Sequence, residues 1–265
     1  MTDRPVTEGL AARDLTLAYG PRPIVEGLSV DIPPGRFTVL AGPNGSGKST
    51  LLRGLSGGLK PVAGKVLLDG QPLVRLAMRA KARRIGLLPQ TPQAPEGLRV
   101  RDLVAHGRHP HRGLFSAWSA ADRAACARAM TQTGMTDLAD APLDALSGGQ
   151  RQRAWIAMTL AQESDILLLD EPTSSLDLSH QLEVLQLIER LVAGGRTVVA
   201  VLHDLNQAAR HADHVVVLQS GRVVVAGAPE HALSLDVLEH VFGVRAAVLT
   251  DPASGRPVFI PHLPG

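Results

Sequence analysis

Apolar and polar residues alternate near the start of the chain and give way to continuous apolar runs further on. Leu28, Val30 and Ile32 alternate with polar neighbours, which predicts a strand with one buried face. Short continuous apolar runs are instead typical of strands that are buried on both faces of a parallel sheet. Such runs centre on residues 36–41, 166–169 and 197–202.

The middle of the chain shows no strong strand pattern, and helical patterns fit residues 100–107, 120–133 and 148–162. Further on, apolar residues recur every three or four positions, which predicts an amphipathic helix. These residues are Leu178, Leu182, Leu185, Ile188 and Leu191. Strands that alternate with helices indicate a parallel α/β sheet, here interrupted by a helical insertion.

Composition narrows the class of protein. The chain has 265 residues, 45% of them hydrophobic, which excludes intrinsic disorder as the main state and fits one large domain or two small ones. Its one cysteine, Cys126, cannot form an internal disulfide, so we expect a reducing compartment. We also expect neither a signal peptide nor a membrane span, because the apolar runs are short.

Charge gives no sign of a nucleic-acid partner. The chain has 27 Lys+Arg and 25 Asp+Glu, a net charge of +2, and the positive residues are spread along it. Only residues 75–84 are densely basic, and we interpret them as a solvated helix face. We therefore expect no nucleic acid among the partners.

A glycine-rich segment follows the apolar run at residues 36–41 and precedes a predicted helix. It matches the P-loop pattern at every fixed position and reads Gly42, Pro43, Asn44, Gly45, Ser46, Gly47, Lys48 and Ser49. In such a loop the backbone N–H groups surround a β-phosphate at the helix N-terminus. Lys48 would bridge the β- and γ-phosphates, the Ser49 hydroxyl would bind Mg²⁺, and Thr50 extends the expected nucleotide site.

Two carboxylates end the apolar run at residues 166–169. The strand carries Asp170 to the carboxyl end of the sheet, where ligands of α/β proteins bind. We expect Asp170 to hold Mg²⁺ directly or through water, and Glu171 to polarise an attacking water.

Together with these motifs, Leu146-Ser147-Gly148-Gly149-Gln150 resembles the signature sequence of the ATP-binding-cassette (ABC) ATPases. The remaining motifs of that family follow in the expected order. Gln90 resembles its Q-loop glutamine, Asp177 belongs to a segment similar to its D-loop, and His203 resembles its switch histidine. Tyr19 resembles the aromatic residue that stacks on adenine. The resemblance covers roughly residues 8–245.

The resemblance implies a P-loop NTPase fold with a RecA-like α/β core, an N-terminal antiparallel β region and a helical insertion. The single domain spans residues 1–265, and its expected parts are 1–90 and 161–245 for the core, 91–160 for the helical subdomain and 246–265 for a short tail.

The resemblance also implies a mechanism shared between two head-to-tail copies. ATP held by Lys48 and Ser49 of one copy would be covered by Ser147 and Gly149 of the other. Glu171 would act as the base, His203 would contact the γ-phosphate, and Gln90 would sense the metal and the attacking water. The resemblance assigns Gly148, Gln150 and Asp177 to the same nucleotide site.

Three function classes are compatible with a cassette: a transporter ATPase, a DNA-repair or chromosome ATPase, and a translation-associated ATPase. Chromosome ATPases usually have a long coiled coil between the P-loop and the signature, but no heptad run lies between Lys48 and Ser147, which disfavours that class. Translation-associated members usually carry two cassettes in one chain, and this chain holds one. Without fused membrane segments, most exporters are also disfavoured.

The segment His106–Phe115 and the residues after the signature are similar to the ferric-siderophore, haem and cobalamin importer group, and most similar to its siderophore branch. We therefore expect an iron-chelate importer ATPase at the cytoplasmic face of the membrane, with a separate permease and, indirectly, an extracytoplasmic binding protein. His106, His109 and His111 are expected to contact the permease, with a metal site as the alternative. No residue here identifies the chelate.

Overall fold

The computed structural model describes residues 9–113, 117–174 and 176–262. Leu114 and Phe115 of the expected permease contact, and Ser175 beside the D-loop, lie outside the described residues. The strands are β1 Leu10–Tyr19, β2 Arg22–Ile32, β3 Phe37–Ala41, β4 Ala63–Leu68, β5 Gln71–Pro72, β6 Ile85–Leu88, β7 Ile166–Leu169, β8 Thr197–Val201, β9 His214–Gln219, β10 Arg222–Gly227, β11 Ala246–Thr250 and β12 Pro257–Pro261. The helices are α1 Lys48–Leu55, α2 Met78–Arg84, α3 Val100–His106, α4 Ala120–Gln132, α5 Gly148–Ala161, α6 Leu178–Ala193, α7 Leu205–His211, α8 Pro229–Ala232 and α9 Leu235–Phe242.

A six-stranded sheet in the order β10-β9-β3-β8-β7-β6 forms the centre of the molecule. Its pairs are parallel except for β10, which pairs with β9 in the antiparallel sense. Every residue of β3, β7 and β8 is buried, as expected for strands covered by helices on both faces. The predicted α/β fold is confirmed.

A second sheet in the order β2-β1-β4-β5 is antiparallel throughout. Helix α1 packs between this sheet and the central one, where their apolar side chains form one cluster. The approach of α1 to β1 is very close, because a Cβ at Gly54 would collide with Leu17. A side chain at this position of the helix would therefore force Leu17 to shift.

Helices α3, α4 and α5 lie between β6 and β7 along the chain and share a second apolar cluster with the other face of the central sheet. A buried ion pair holds the segment after α3 to α4. The Arg108 guanidinium, 4% exposed, donates from Nε to Asp122 Oδ1 over 2.9 Å and from Nη1 to Glu163 over 2.7 Å.

Two parts of the chain differ from the sequence-based expectation. The basic stretch 75–84 is α-helical only from Met78, where α2 begins. None of the residues of α2 is buried, and Arg84 forms surface ion pairs with Asp69 over 2.7 Å and with Asp165 over 2.5 Å. The segment expected to be a short tail contains the hairpin β11–β12, and Asn206 of α7 exchanges two hydrogen bonds with Phe259 to hold it. Among the described residues, no helix combines the length and apolar character needed to cross a bilayer.

Candidate active site

Residues 42–47 connect β3 to α1 and surround an anion-sized space. Gly42, Gly45 and Gly47 have φ values of 145°, 76° and 98°, which favour glycine, and a Cβ at Gly42 would collide with the Leu218 carbonyl. The buried Ser46 hydroxyl has no hydrogen-bond partner among the described residues. A strained loop with an unpaired buried hydroxyl beside a helix N-terminus fits a phosphate.

Lys48 begins α1 and bends back over this loop. Its Nζ donates to the carbonyls of Gly42 and Pro43, both over 2.8 Å. Burial lowers the pKa of Lys48, and the nearby Glu171 and Asp170 carboxylates partly oppose this effect. The ammonium group is thus held at the loop by partners that a phosphate can replace.

Asp170 follows β7 and is 2% exposed. Its Oδ1 accepts a hydrogen bond from the Ser49 hydroxyl over 2.8 Å. Burial raises the pKa of Asp170, and the bond from Ser49 opposes that rise. One hydroxyl and one carboxylate next to a phosphate site match the ligands of Mg²⁺, which binds few protein oxygens and completes its shell with phosphate and water.

Glu171 and His203 lie directly against each other. His203 follows β8, and its Nε2 is 2.7 Å from Glu171 Oε1. Glu171 has a φ of 53°, an uncommon backbone conformation for a non-glycine residue. Its carbonyl accepts hydrogen bonds from the N–H and the hydroxyl of Ser174 over 3.2 and 2.9 Å, which hold the turn.

Lys48, Ser49, Glu171 and His203 are among the residues that line a cleft of about 740 Å³. Tyr19 lies at one end, 47% exposed, and its hydroxyl accepts a hydrogen bond from Arg53 over 3.1 Å. An exposed aromatic ring beside a phosphate-sized loop suits a planar base. The lining residues are Tyr19, Arg22, Pro23, Ile24, Asn44, Gly45, Gly47, Lys48, Ser49, Thr50, Glu171, His203 and Ser220.

The segment 147–150 lies outside this cleft and begins α5. The Ser147 hydroxyl accepts a hydrogen bond from the Gln150 N–H over 3.2 Å, and Gln150 Oε1 accepts one from the Ser147 N–H over 3.0 Å, a capping box. Gly148 and Gly149 form the first turn of the helix. This helix N-terminus is not among the residues that line the cleft.

Asp177 and Gln90 also lie outside the lining of the cleft. Asp177 caps α6, and its Oδ1 accepts from the His180 N–H over 3.0 Å and lies 2.6 Å from His180 Nδ1. The His180 ring packs on Gly149, where a Cβ would lie 3.1 Å from His180 Cγ. Gln90 is exposed after β6.

Similarity to known proteins identifies the family of this chain. The family model described as "ABC transporter" matches residues 25–174, more than half of the chain. The ferric enterobactin transport ATP-binding protein FepC of Escherichia coli (strain K12) is 49% identical over 95% of this chain and 93% of its own length. The chain is an ABC transporter ATPase.

Two further similarities support this cassette's assignment. The iron(3+)-hydroxamate import ATP-binding protein FhuC of Bacillus subtilis (strain 168) is 45% identical over 96% of this chain and 94% of its own length. The structure of a metal-chelate type ABC transporter in an inward-facing conformation superposes with a TM-score of 0.83, at 30% identity, over 97% of this chain and 98% of that one. The predicted family and the predicted ATPase activity are confirmed, since ATP-binding subunits of this family bind ATP and hydrolyse it to power transport.

Four residues of the cassette's cleft were missed by the sequence analysis: Arg22, Pro23, Ile24 and Ser220. They meet because the turn between β9 and β10 reaches the start of β2. The Gly221 carbonyl accepts from the Glu26 N–H, and the Gly221 N–H donates to the backbone carbonyl of Ser46, each over 3.1 Å. In the sequence, Ser220-Gly221 indicates only a turn, so no local signal marks this wall.

Proposed function

We propose that this cassette is the ATP-hydrolysing subunit of an importer that takes up ferric siderophores through a separate permease. The observation that carries the proposal is the similarity to FepC and FhuC, which extends over nearly the full length of both. These relatives are named for ferric enterobactin and iron(3+)-hydroxamate, two unlike chelates. The shared cargo class is therefore the iron chelate, and the particular chelate stays open.

In the proposed mechanism, the ATP phosphates bind the N–H groups of residues 42–47, and Lys48 exchanges its two carbonyl partners for phosphate oxygens. Ser49 and Asp170 would hold Mg²⁺, and Gln90 is assigned to the same metal site. The ion would supply positive charge that offsets the charge of the phosphates. The Tyr19 ring stacks on the adenine.

When ATP binds, His203 turns its Nε2 from Glu171 to the γ-phosphate. Glu171 then accepts a proton from the attacking water while the water oxygen bonds to the γ-phosphorus and the bond to the β–γ bridging oxygen breaks, which leaves ADP and phosphate. The 2.7 Å separation of the two groups supports these roles, because one small rearrangement frees both.

The second copy of the chain supplies the other half of the site. ABC transporter cassettes form dimers and work with membrane permease subunits. In this chain Ser147, Gly149 and Asp177 lie outside the lining of its own cleft, which supports a head-to-tail arrangement that presents them to the partner's nucleotide.

A Glu171→Gln variant tests the catalytic part. The amide keeps the shape of the side chain but cannot accept a proton, so the ATPase rate should fall by about 10²- to 10⁴-fold. Bound ATP should then hold two copies together, and gel filtration with Mg-ATP should show a dimer. Lys48→Ala serves as the control that should stay monomeric. A monomeric Glu171→Gln protein under these conditions would contradict the shared site.

Growth under iron limitation tests the transport part. A strain whose only copy carries Lys48→Ala should lose growth on at least one ferric siderophore, and a wild-type copy should restore it. Normal growth of this strain on every siderophore would contradict the siderophore cargo. Loss of growth on haem, or a cobalamin-dependent defect, would then indicate haem or cobalamin as the cargo. A DNA-stimulated ATPase rate would favour the repair class.

We further propose a peripheral position at the cytoplasmic face of the membrane, with the segment His106–Arg112 against the permease and an extracytoplasmic binding protein as indirect partner. The stacked rings of His106 and His109, 5.3 Å apart, and the His111 bond to the Gln162 carbonyl support an ordered contact segment. The described residues contain no cluster of three or more metal-ligating side chains, so the metal alternative gains no support.

A further inference from the structure

A second pocket, of about 370 Å³, lies at the opposite end of α1 from the P-loop. Gly54 and Gly57 at the end of α1, Leu73, Val74 and the β4 strand line it. Helix α1 has eight residues, so about 12 Å of helix separates this pocket from Lys48. No step of the proposed ATPase mechanism uses it.

Three of the four lysines of the chain surround this pocket: Lys60, Lys65 and Lys81. We call the space that they enclose the lysine pocket. Across residues 9–113, 117–174 and 176–262, none of the three forms an ion pair with a carboxylate. Lys81 bends inward, since its Nζ lies 3.6 Å from the position of a Cβ on Gly57. The pocket is therefore cationic and uncompensated.

Apolar side chains project into solvent around the same pocket. Met78, Val74 and Val62 are 80%, 76% and 69% exposed, which places them among the most exposed large apolar residues described. Val74 lines the pocket, Met78 lies one helical turn before Lys81, and Val62 lies between Lys60 and Lys65. Lysines around exposed apolar side chains suit a ligand that is both anionic and apolar.

The lysine pocket is also connected to the expected permease contact. Helix α2, which carries Lys81, packs on residues 109–111, and Arg83 Nε donates to the Pro110 carbonyl over 3.0 Å. If that segment contacts the permease, as proposed above, the pocket lies close to the membrane surface beside it. The anionic and apolar ligand available there is membrane lipid.

We propose that the lysine pocket binds an anionic phospholipid of the membrane, with the headgroup between the lysines and the apolar tips against the acyl region. This inference deepens the proposed peripheral position, on which it rests for its location. It does not depend on ATP hydrolysis, because the pocket and the cleft lie at opposite ends of α1.

Vesicle flotation of the purified chain tests the proposal. Vesicles of pure phosphatidylcholine are compared with vesicles that contain roughly one third phosphatidylglycerol, at low and physiological salt. The wild-type chain should float with the anionic vesicles and not with the neutral ones. The Lys60→Gln/Lys81→Gln variant should bind the anionic vesicles about 25-fold more weakly, since each lysine near such a surface contributes about fivefold.

The matched control is Arg75→Gln/Arg79→Gln, which removes two exposed charges from the same stretch of chain but from outside the pocket. This control should lose about fivefold at most. A Val74→Asn/Met78→Asn variant, with all lysines present, should bind about tenfold more weakly because the apolar tips are gone.

Equal losses in the lysine and arginine variants would overturn the proposal in favour of general charge attraction. No flotation of the wild-type chain with anionic vesicles would also overturn it and assign the surface to a protein partner. The ATPase rate is measured on the same preparations. Flotation without ATPase activity would count against the proposed function, whereas activity without flotation counts against the lysine pocket alone.

Discussion

Replacing Asp122 with asparagine removes the charge from the most buried ion pair of the molecule's helical part. Asp122 is 5% exposed at the start of α4, and Arg108 is 4% exposed. The Ser119 hydroxyl donates to Asp122 Oδ2 over 2.7 Å, and Arg108 donates to Oδ1 over 2.9 Å. An asparagine keeps the size but replaces one of the two acceptor oxygens with an NH2 donor, so hydrogen bonding to Ser119 or to Arg108 is lost together with the charge.

The expected magnitude follows from the pKa of Asp122. The hydrogen bond from Ser119 and then the pairing with Arg108 lower this pKa from 3.8 to about 2, although burial opposes the change. That difference corresponds to about 2 kcal/mol of folding free energy at neutral pH. Breaking a buried pair from one side typically costs about 3 to 5 kcal/mol. Arg108 retains Glu163 and the Ala161 carbonyl, each over 2.7 Å, so we expect a loss of about 2 to 3 kcal/mol.

Urea unfolding at neutral pH measures this loss of unfolding free energy. In thermal unfolding the Tm should fall by about 5 to 10 °C. The matched control is Asp140→Asn, because Asp140 pairs with Arg101 but is 69% exposed and should contribute less than about 1 kcal/mol. A carboxyl with a lowered pKa stabilises the fold above its unfolded pKa of about 4 and loses this effect as the pH falls toward 2. The stability difference between wild type and Asp122→Asn should therefore be constant from about pH 5 to 8 and narrow below about pH 4. Equal, small losses in both variants would refute the reasoning.

Three other changes have specific expected outcomes. Tyr19→Ala should weaken ATP binding by about 1 to 3 kcal/mol in a fluorescence titration. Its Tm should stay unchanged because the ring is half exposed, and unaltered ATP affinity would contradict the stacking role. Gly221→Ala should destabilise the fold by at least about 1 kcal/mol in urea, because φ is 78° and a Cβ would collide with the Ile24 carbonyl. A stable variant would show that this turn can move. Asp170→Asn should raise the Mg²⁺ concentration for half-maximal ATPase activity, whereas the exposed control Asp137→Asn should not. An unchanged Mg²⁺ requirement would remove Asp170 from the metal site.

Local signals in the sequence predicted much of the fold. The strand at Ile166–Leu169 has the predicted bounds because a continuous apolar run is a property of the segment itself. The helix Leu178–Ala193 begins directly after its cap, Asp177, and ends at Gly194, as its apolar periodicity predicts. Local patterns were also sufficient for the P-loop, because its chemistry depends on residues that are adjacent in the chain.

Features that depend on contacts between distant segments were not predicted. The wall formed by Ile24 and Ser220 requires two sheets to meet, and the lysine pocket combines residues from separate elements. Helix α9 was also not predicted, but for a different reason. Its boundaries are marked by local signals, the cap Ser234 and the terminal Gly243 with a φ of 68°, which the sequence already contains.

The internal hydrogen bonds of the cleft determine which nucleotides it can distinguish. Lys48 is held by two loop carbonyls, and Glu171 by His203, so a ligand that binds these groups must replace the existing bonds. In the proposed binding mode, a β-phosphate releases the first set and a γ-phosphate releases the second. A monophosphate would replace neither, a diphosphate one and a triphosphate both. In this binding mode the cleft would respond to the length of the phosphate chain in discrete steps, and the triphosphate is the ligand that opens the Glu171–His203 pair.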